Sequence, residues 1–343
     1  MKFLCIGAGA IGICIGGSLA SAGQQVYFWV KPKHQEKLSG RELTIYNGEA
    51  VNKTDRFNLV VHPEVLAEIG ALDCVLIAVK AFDTDQVIRQ LKGMPVPFKA
   101  IACLQNGVEN EDKLARAFPE SEIIGASIVS AVSRLDDTSV RVEKNRGIGI
   151  CGQGAVCDQL FNSLQSAGLR PKKYSDMQSM KWSKMISNLF SNAVSGILDM
   201  TPYEVYTRRG LFRIEKVQIL EALAVMRRMG LRVVNLPGLP LKMLVWLIGC
   251  LPDFLLQPLL VKLIAEGRGE KMPSFYIEKM KGSDRSEVNY LNGAIVRMGT
   301  KYGVSTPVNQ TLVEIFNEIL SNSKVRDEYS HHPELLERTA NVD

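Results

Sequence analysis

Three glycines within the first dozen residues constrain this chain more than anything else in it. Gly7-Ala8-Gly9-Ala10-Ile11-Gly12 follows the short apolar run Lys2–Ile6 and opens a helical pattern from about Ala10 to Ala22. Gly23 closes that helix as a C-terminal glycine does, and Gln25 to Val30 reads as a second strand. Strand, glycine turn, helix and strand within ~30 residues make one βαβ unit. In such a turn the first glycine permits the tight bend. The second lets backbone approach a pyrophosphate, and the third lets the helix pack closely on the strand. The helix start adds amide donors and a positive dipole end. Gly7, Ala8, Gly9, Ala10, Ile11 and Gly12 are therefore expected to hold the phosphates of a dinucleotide.

Further apolar runs lie at Asp73 to Val79, Ala100 to Leu104 and Glu122 to Val129, with helical patterns near Asp85 to Leu91 and Glu109 to Ala117. Strands alternating with helices imply a doubly wound, mostly parallel sheet. Leu43 to Val61 is choppier and carries Asn47-Gly48, a hairpin turn signal. Arg134 to Cys151 alternates and is expected to add strands at the edge of that sheet. After about Lys173 the pattern turns helical, broken at Pro202, Pro237, Pro240, Pro273 and Pro307. The fold class expected is α/β, a Rossmann domain over residues 1–175 followed by an all-helical domain over 176–325. From Ser323 onward the sequence is charged and lacks apolar periodicity, so residues 326–343 read as a loose tail.

Of the 343 residues, 46% are hydrophobic and 22% charged, which excludes a disordered or fibrous chain. The net charge of +5 is spread along the chain, so it gives no argument for nucleic acid. Cys5, Cys74 and Cys103 sit in apolar runs as small core residues. Cys151 and Cys157 flank a glycine-rich turn without completing a zinc spacing, and no metal is expected. Reduced thiols and the absence of a leader-like start suggest a cytoplasmic protein. Leu241 to Leu263 is strongly apolar but contains Lys242, Asp253, Gln257 and Lys262 and is broken by Pro252 and Pro258. That is too interrupted for a membrane span. Two short apolar helices are expected instead, as a lid, a dimer contact or a buried hairpin.

The end of the second strand bears on the choice of nucleotide. An NAD site commonly places a carboxylate there for the ribose hydroxyls. This chain has Trp29-Val30-Lys31-Pro32-Lys33-His34, and Lys31 would attract a 2′-phosphate, so NADP(H) is the expected cofactor. Reduction of a carbonyl also needs a proton donor within hydrogen-bond reach. The four histidines, His34, His62, His331 and His332, all lie outside the helical domain proper. The single Tyr-x-x-x-Lys, Tyr27 to Lys31, sits at the adenosine end. Lysine remains. Lys184, Asn188 and Asn192 are spaced four apart, so one helix would align them, while Trp182, Met185, Ile186, Leu189 and Phe190 make its other faces apolar. That stripe reads equally as a substrate site or as a structural polar face.

Several separated motifs now fall in one order: Gly7–Gly12, Val79-Lys80-Ala81, Gln105-Asn106-Gly107, Lys184 through Asn192, Ser286-Glu287-Val288-Asn289-Tyr290-Leu291-Asn292-Gly293, and Gly303-Val304-Ser305-Thr306-Pro307-Val308-Asn309. In this the chain resembles the ketopantoate reductases (2-dehydropantoate 2-reductases) over nearly its whole length. The resemblance implies NADPH-dependent reduction of ketopantoate to pantoate, a step of pantothenate biosynthesis, in a cleft between the two domains. It implies Lys184 as general acid and Glu287 beside that lysine or the substrate hydroxyl, also near the cofactor. Asn188, Asn192 and Ser274 would hold the substrate. Lys80 and Asn106 would contact the nicotinamide end, Asn106 also the substrate. A homodimer built on the helical domain is the oligomer the resemblance suggests.

Two departures stand out. Ala193 follows Asn192 where the family has proline, and Thr201-Pro202-Tyr203 occupies the place of a later Asn-Gly pair. The apolar segment Leu236 to Lys271 also looks inserted. Both leave room for a bulkier keto acid on the same scaffold. A non-catalytic nucleotide sensor is the rival of a different class, disfavoured by the retention of Lys184 together with Glu287.

Overall fold

The computed structural model describes residues 1–266, 272–280 and 282–342. The chain divides into two compact units, Met1–Lys181 with Leu236–Leu239, and Trp182–Asn235 with Pro240–Asp343. The first division thus falls at Lys181, a few residues beyond the expected one.

The first unit contains β1 (Lys2–Ile6), β2 (Gln25–Trp29), β3 (Leu43–Asn47), β4 (Ala50–Thr54), β5 (Phe57–Val60), β6 (Leu72–Ile77), β7 (Phe98–Cys103), β8 (Glu122–Ile128), β9 (Ala131–Arg134), β10 (Ser139–Lys144), β11 (Ile148–Cys151) and β12 (Pro171–Lys173). The main sheet runs β12-β11-β8-β7-β6-β1-β2-β5. Its pairs are parallel except β11, which runs antiparallel to β8. The chain winds outward from β1 through β2 to β5 and then returns to β6 on the other side. That makes the β1/β6 gap the switch point, where a doubly wound sheet binds ligands beyond its carboxyl edge.

The strands are apolar on both faces because both faces are covered. Phe3 and Cys5 join one buried cluster with Cys74, Leu76, Ala100 and Ala102. Leu4 and Ile6 join the other with Val75, Ile77, Ile101 and Cys103. Burial pushes the Cys5 thiol up to about 12, which keeps it a protonated core group.

Arg134 to Cys151 does not simply extend the main sheet. Only β11 does so, while β9 and β10 join β3 and β4 in a separate sheet of order β4-β3-β10-β9. The reason lies in the helix Ala10–Ser21, which carries no charged residue and has nine buried positions. A helix apolar all round must be covered on every side. The main sheet covers one side, and the small sheet packs on the helix from the other. Its hairpin loop is Gly48-Glu49, with Gly48 at φ +62° and Asn47 already paired with Ala50.

The second unit is helical, with no strand among its described residues. The helix Arg209–Arg228 buries Leu211, Phe212, Ile214, Ile219, Ala222, Val225 and Met226 and packs on Asn292–Tyr302, Pro307–Ser321 and Pro333–Ala340. The expected tail is a correction, because residues after Asn322 form the helices Ser323–Tyr329 and Pro333–Ala340. Charge hid a sparse apolar set in which Tyr329, Leu336 and Ala340 are buried. The apolar segment forms the helices Leu241–Cys250 and Asp253–Leu260. It is not a buried hairpin, since Trp246 and Phe254 are 62% and 75% exposed. Residues 267–271 of the segment lie outside the described residues. Among the described residues no helix is long and apolar enough to cross a membrane.

Candidate functional site

At the carboxyl end of β1 the glycine turn is fixed by contacts that no side chain could survive. Gly7 sits at φ +103°, where a Cβ would lie 2.8 Å from Val79 Cγ1. A Cβ on Gly12 would lie 1.9 Å from the Gly7 carbonyl oxygen. Around Gly9, by contrast, no atom lies within 4 Å of a Cβ position, and Gly9 is the N-cap of the helix Ala10–Ser21. Open space over a helix start, with its positive dipole end and outward amides, is what a pyrophosphate requires. The turn therefore fits a dinucleotide.

At the adjacent end of β2, Lys31 is the N-cap of the helix Pro32–Leu38. Partial burial holds the His34 imidazole below its usual range, helped by the charges of Lys33, Arg134, Lys37 and Lys31. Of these cations, Lys37 and Arg134 are engaged by Asp137 at 2.9 and 3.0 Å. The local field is basic, which suits an extra phosphate on the ribose.

Two further turns follow β6 and β7. Lys80 caps a single turn, Ala81–Asp83, with extended backbone. Gln105-Asn106-Gly107 follows Cys103, with Gly107 at φ +94°. Gln105 Nε2 donates to the Lys80 carbonyl and to Thr84 Oγ1, both at 3.0 Å. Asn110 Nδ2 donates to the Asn106 carbonyl at 2.8 Å. The two turns share one polar network.

The helix Met177–Leu189 begins in the first unit and carries Lys184 in the second. Lys184 Nζ donates to Asn188 Oδ1 at 2.8 Å, one turn on and on the same face, as the spacing predicts. Asn192 departs from that stripe. The helix ends at Leu189, and Ser191 adopts the left-handed conformation at φ +57°. The Ser191 amide donates to the buried Glu215 Oε2 at 2.7 Å, and the Tyr206 hydroxyl donates to the same oxygen at 2.9 Å. Asn192 starts the next helix, and its Oδ1 accepts from Phe275 N at 3.1 Å and Ser274 Oγ at 3.3 Å. Lys184 is thus brought to Asn188, and Asn192 to Ser274. Glu287 is buried at the start of the one-turn helix Glu287–Tyr290, behind Ser286, whose hydroxyl accepts from Val288 N. No cluster of three or more potential metal ligands occurs among the described residues.

One pair escaped sequence reasoning. Lys181 and Glu111 meet at 2.7 Å, with side chains only 3% and 2% exposed. The signal available was a lysine between Met180 and Trp182, on a helix with little polar surface to spare.

Comparison with known proteins adds to this geometry. The profile described as Ketopantoate reductase PanE/ApbA matches residues 3–155, and its C-terminal counterpart matches residues 176–320. A 2-dehydropantoate 2-reductase of Archaeoglobus fulgidus is 26% identical over 321 residues, covering 92% of this chain and 97% of that protein. The crystal structure of a PanE/ApbA family ketopantoate reductase from Ralstonia eutropha superposes with a TM-score of 0.78 at 25% identity, covering 96% of this chain and 99% of that one. D-mandelate dehydrogenase, solved with NADH and anilino(oxo)acetate, shares the fold over 100% of both chains, with a TM-score of 0.73 at 21% identity.

Proposed function

Because the chain belongs to the ketopantoate reductase family, we propose that it uses NADPH to reduce a 2-keto acid, with ketopantoate to pantoate as its reaction. Membership makes it an oxidoreductase of CH–OH donors that depends on a pyridine nucleotide, which disfavours a non-catalytic sensor. The observation that carries the finer reading is the Lys184 ammonium held by Asn188 at 2.8 Å. A bound nicotinamide supplies the hydride, and the remaining demands fall on side chains. Lys184 would protonate the carbonyl oxygen as negative charge develops there. Asn188, by accepting one ammonium hydrogen, would set the direction of that donor. Glu287 would favour the charged lysine as an opposite charge nearby does. Asn192 and Ser274 would hydrogen-bond the substrate. Gly7 to Gly12 would hold the pyrophosphate, Lys31 the 2′-phosphate, and Lys80 with Asn106 the nicotinamide end.

The family's later Asn-Gly contact has no counterpart in Thr201. Its hydroxyl accepts from Glu204 N at 3.3 Å in a capping box that starts the helix Pro202–Thr207. The far end of the substrate must then find another partner, which makes substrate choice the decisive measurement. Purified protein is assayed for NADPH oxidation with ketopantoate, 2-oxoisovalerate and phenylglyoxylate. The expected result is the highest kcat/KM with ketopantoate and NADPH. A preference for phenylglyoxylate would move the substrate to a bulkier class, and oxidation independent of any keto acid would overturn the reading.

A further inference from the structure

Resting on that functional reading, we infer that the buried Lys181–Glu111 pair is a positioning device that presets the two turns receiving the nicotinamide end of the cofactor. A buried ion pair is a poor way to add stability, because desolvating two charges offsets most of their attraction. This one is nonetheless tied into the backbone by two carbonyls. Lys181 Nζ reaches Glu111 Oε1 at 2.7 Å, the Gln105 carbonyl at 2.6 Å and the Ala126 carbonyl at 3.1 Å. The two carbonyls accept its hydrogen bonds, and the Glu111 carboxylate stands opposite the ammonium as its ionic partner.

One acceptor belongs to the Gln105-Asn106-Gly107 turn itself. From there the Gln105 side chain grips the Lys80 carbonyl at 3.0 Å, and Asn110 grips the Asn106 carbonyl at 2.8 Å. Thr84 sits between the two arms, accepting from Gln105 and donating to the Ala81 carbonyl at 2.8 Å, with Asn110 Oδ1 3.1 Å from the same hydroxyl. The backbones that carry Lys80 and Asn106 are therefore fixed relative to each other before any ligand arrives. Lys181 also lies one turn before Lys184, so the same pair anchors the start of the helix that bears the proton donor. Positioning of this kind matters because hydride transfer is sensitive to displacements of about 1 Å.

Two variants test the inference. Lys181→Met with Glu111→Leu replaces the pair by apolar groups of similar size, a change that buried pairs often tolerate. Asn110→Ala removes the clamp on Asn106 without touching a buried charge, and it decides alone should the double variant not fold. Affinity is read by titration with NADPH and separately with 2′,5′-ADP, which lacks the nicotinamide half; thermal unfolding is followed alongside. The folded variants are expected to bind NADPH about tenfold more weakly, roughly 1.4 kcal/mol, with 2′,5′-ADP affinity unchanged. KM for NADPH should rise more than kcat falls. Folded variants with wild-type NADPH affinity would overturn the inference. An equal loss for both ligands would also overturn it, since that marks general loosening of the domain. Wild-type protein that binds neither NADPH nor NADH would instead overturn the functional reading itself.

Discussion

Lys31 occupies the strand end where a carboxylate would select a bare ribose, and around it the charges of Lys33, Arg134 and Lys37 add to the partial burial that lowers His34. A glutamate there would repel a 2′-phosphate while offering an acceptor to ribose hydroxyls. Lys31→Glu is therefore expected to lower the ratio of NADPH to NADH affinity by about tenfold, ~1.4 kcal/mol. Titration of both nucleotides checks this, and an unchanged ratio would remove Lys31 from cofactor choice. At this scale the sequence was most legible where sterics allow one residue type. Gly7 and Gly12 leave no space for a side chain, so the pattern itself carries the turn. Lys181 was not legible, because its role depends on Glu111 and Gln105, and a contact between distant segments has no periodic trace.

Among the elements, the alternation of strands and helices could be read because burial on both faces of the sheet writes long apolar runs. The four-residue spacing of Lys184 and Asn188 likewise became a hydrogen bond at 2.8 Å. Its extension to Asn192 failed at Ser191, where a tertiary contact overrides helical continuity. Glu215, from another helix, captures the Ser191 amide and the Tyr206 hydroxyl in a fully buried site. Glu215→Ala would leave both donors buried without that acceptor, a loss of about 2–6 kcal/mol at 1–3 kcal/mol per group. Denaturant unfolding should show a matching fall in midpoint. A change below about 0.5 kcal/mol, typical of an uninvolved surface residue, would show that another group holds the break. The small sheet over the helix Ala10–Ser21 was missed for a related reason. Alternation in Arg134 to Cys151 signals strands but does not say which sheet they join.

The whole molecule is two units, one built on the doubly wound sheet and one helical, the latter carrying Lys184, Asn188, Asn192, Ser274 and Glu287. Separated motifs in fixed order made the family readable, and its two profiles match residues 3–155 and 176–320. The expected tail was misread because a few buried residues, Tyr329 on one helix and Leu336 with Ala340 on the next, suffice to dock two short helices that composition alone calls polar. The proposed reduction depends most on Lys184 as the proton donor, and Lys184→Ala tests it with NADPH affinity measured on the same preparation. Keto-acid turnover should fall by ~10²-fold or more, as for loss of an acid catalyst, with NADPH still bound as in the wild type. Turnover close to wild type in a variant that binds NADPH normally would contradict the account.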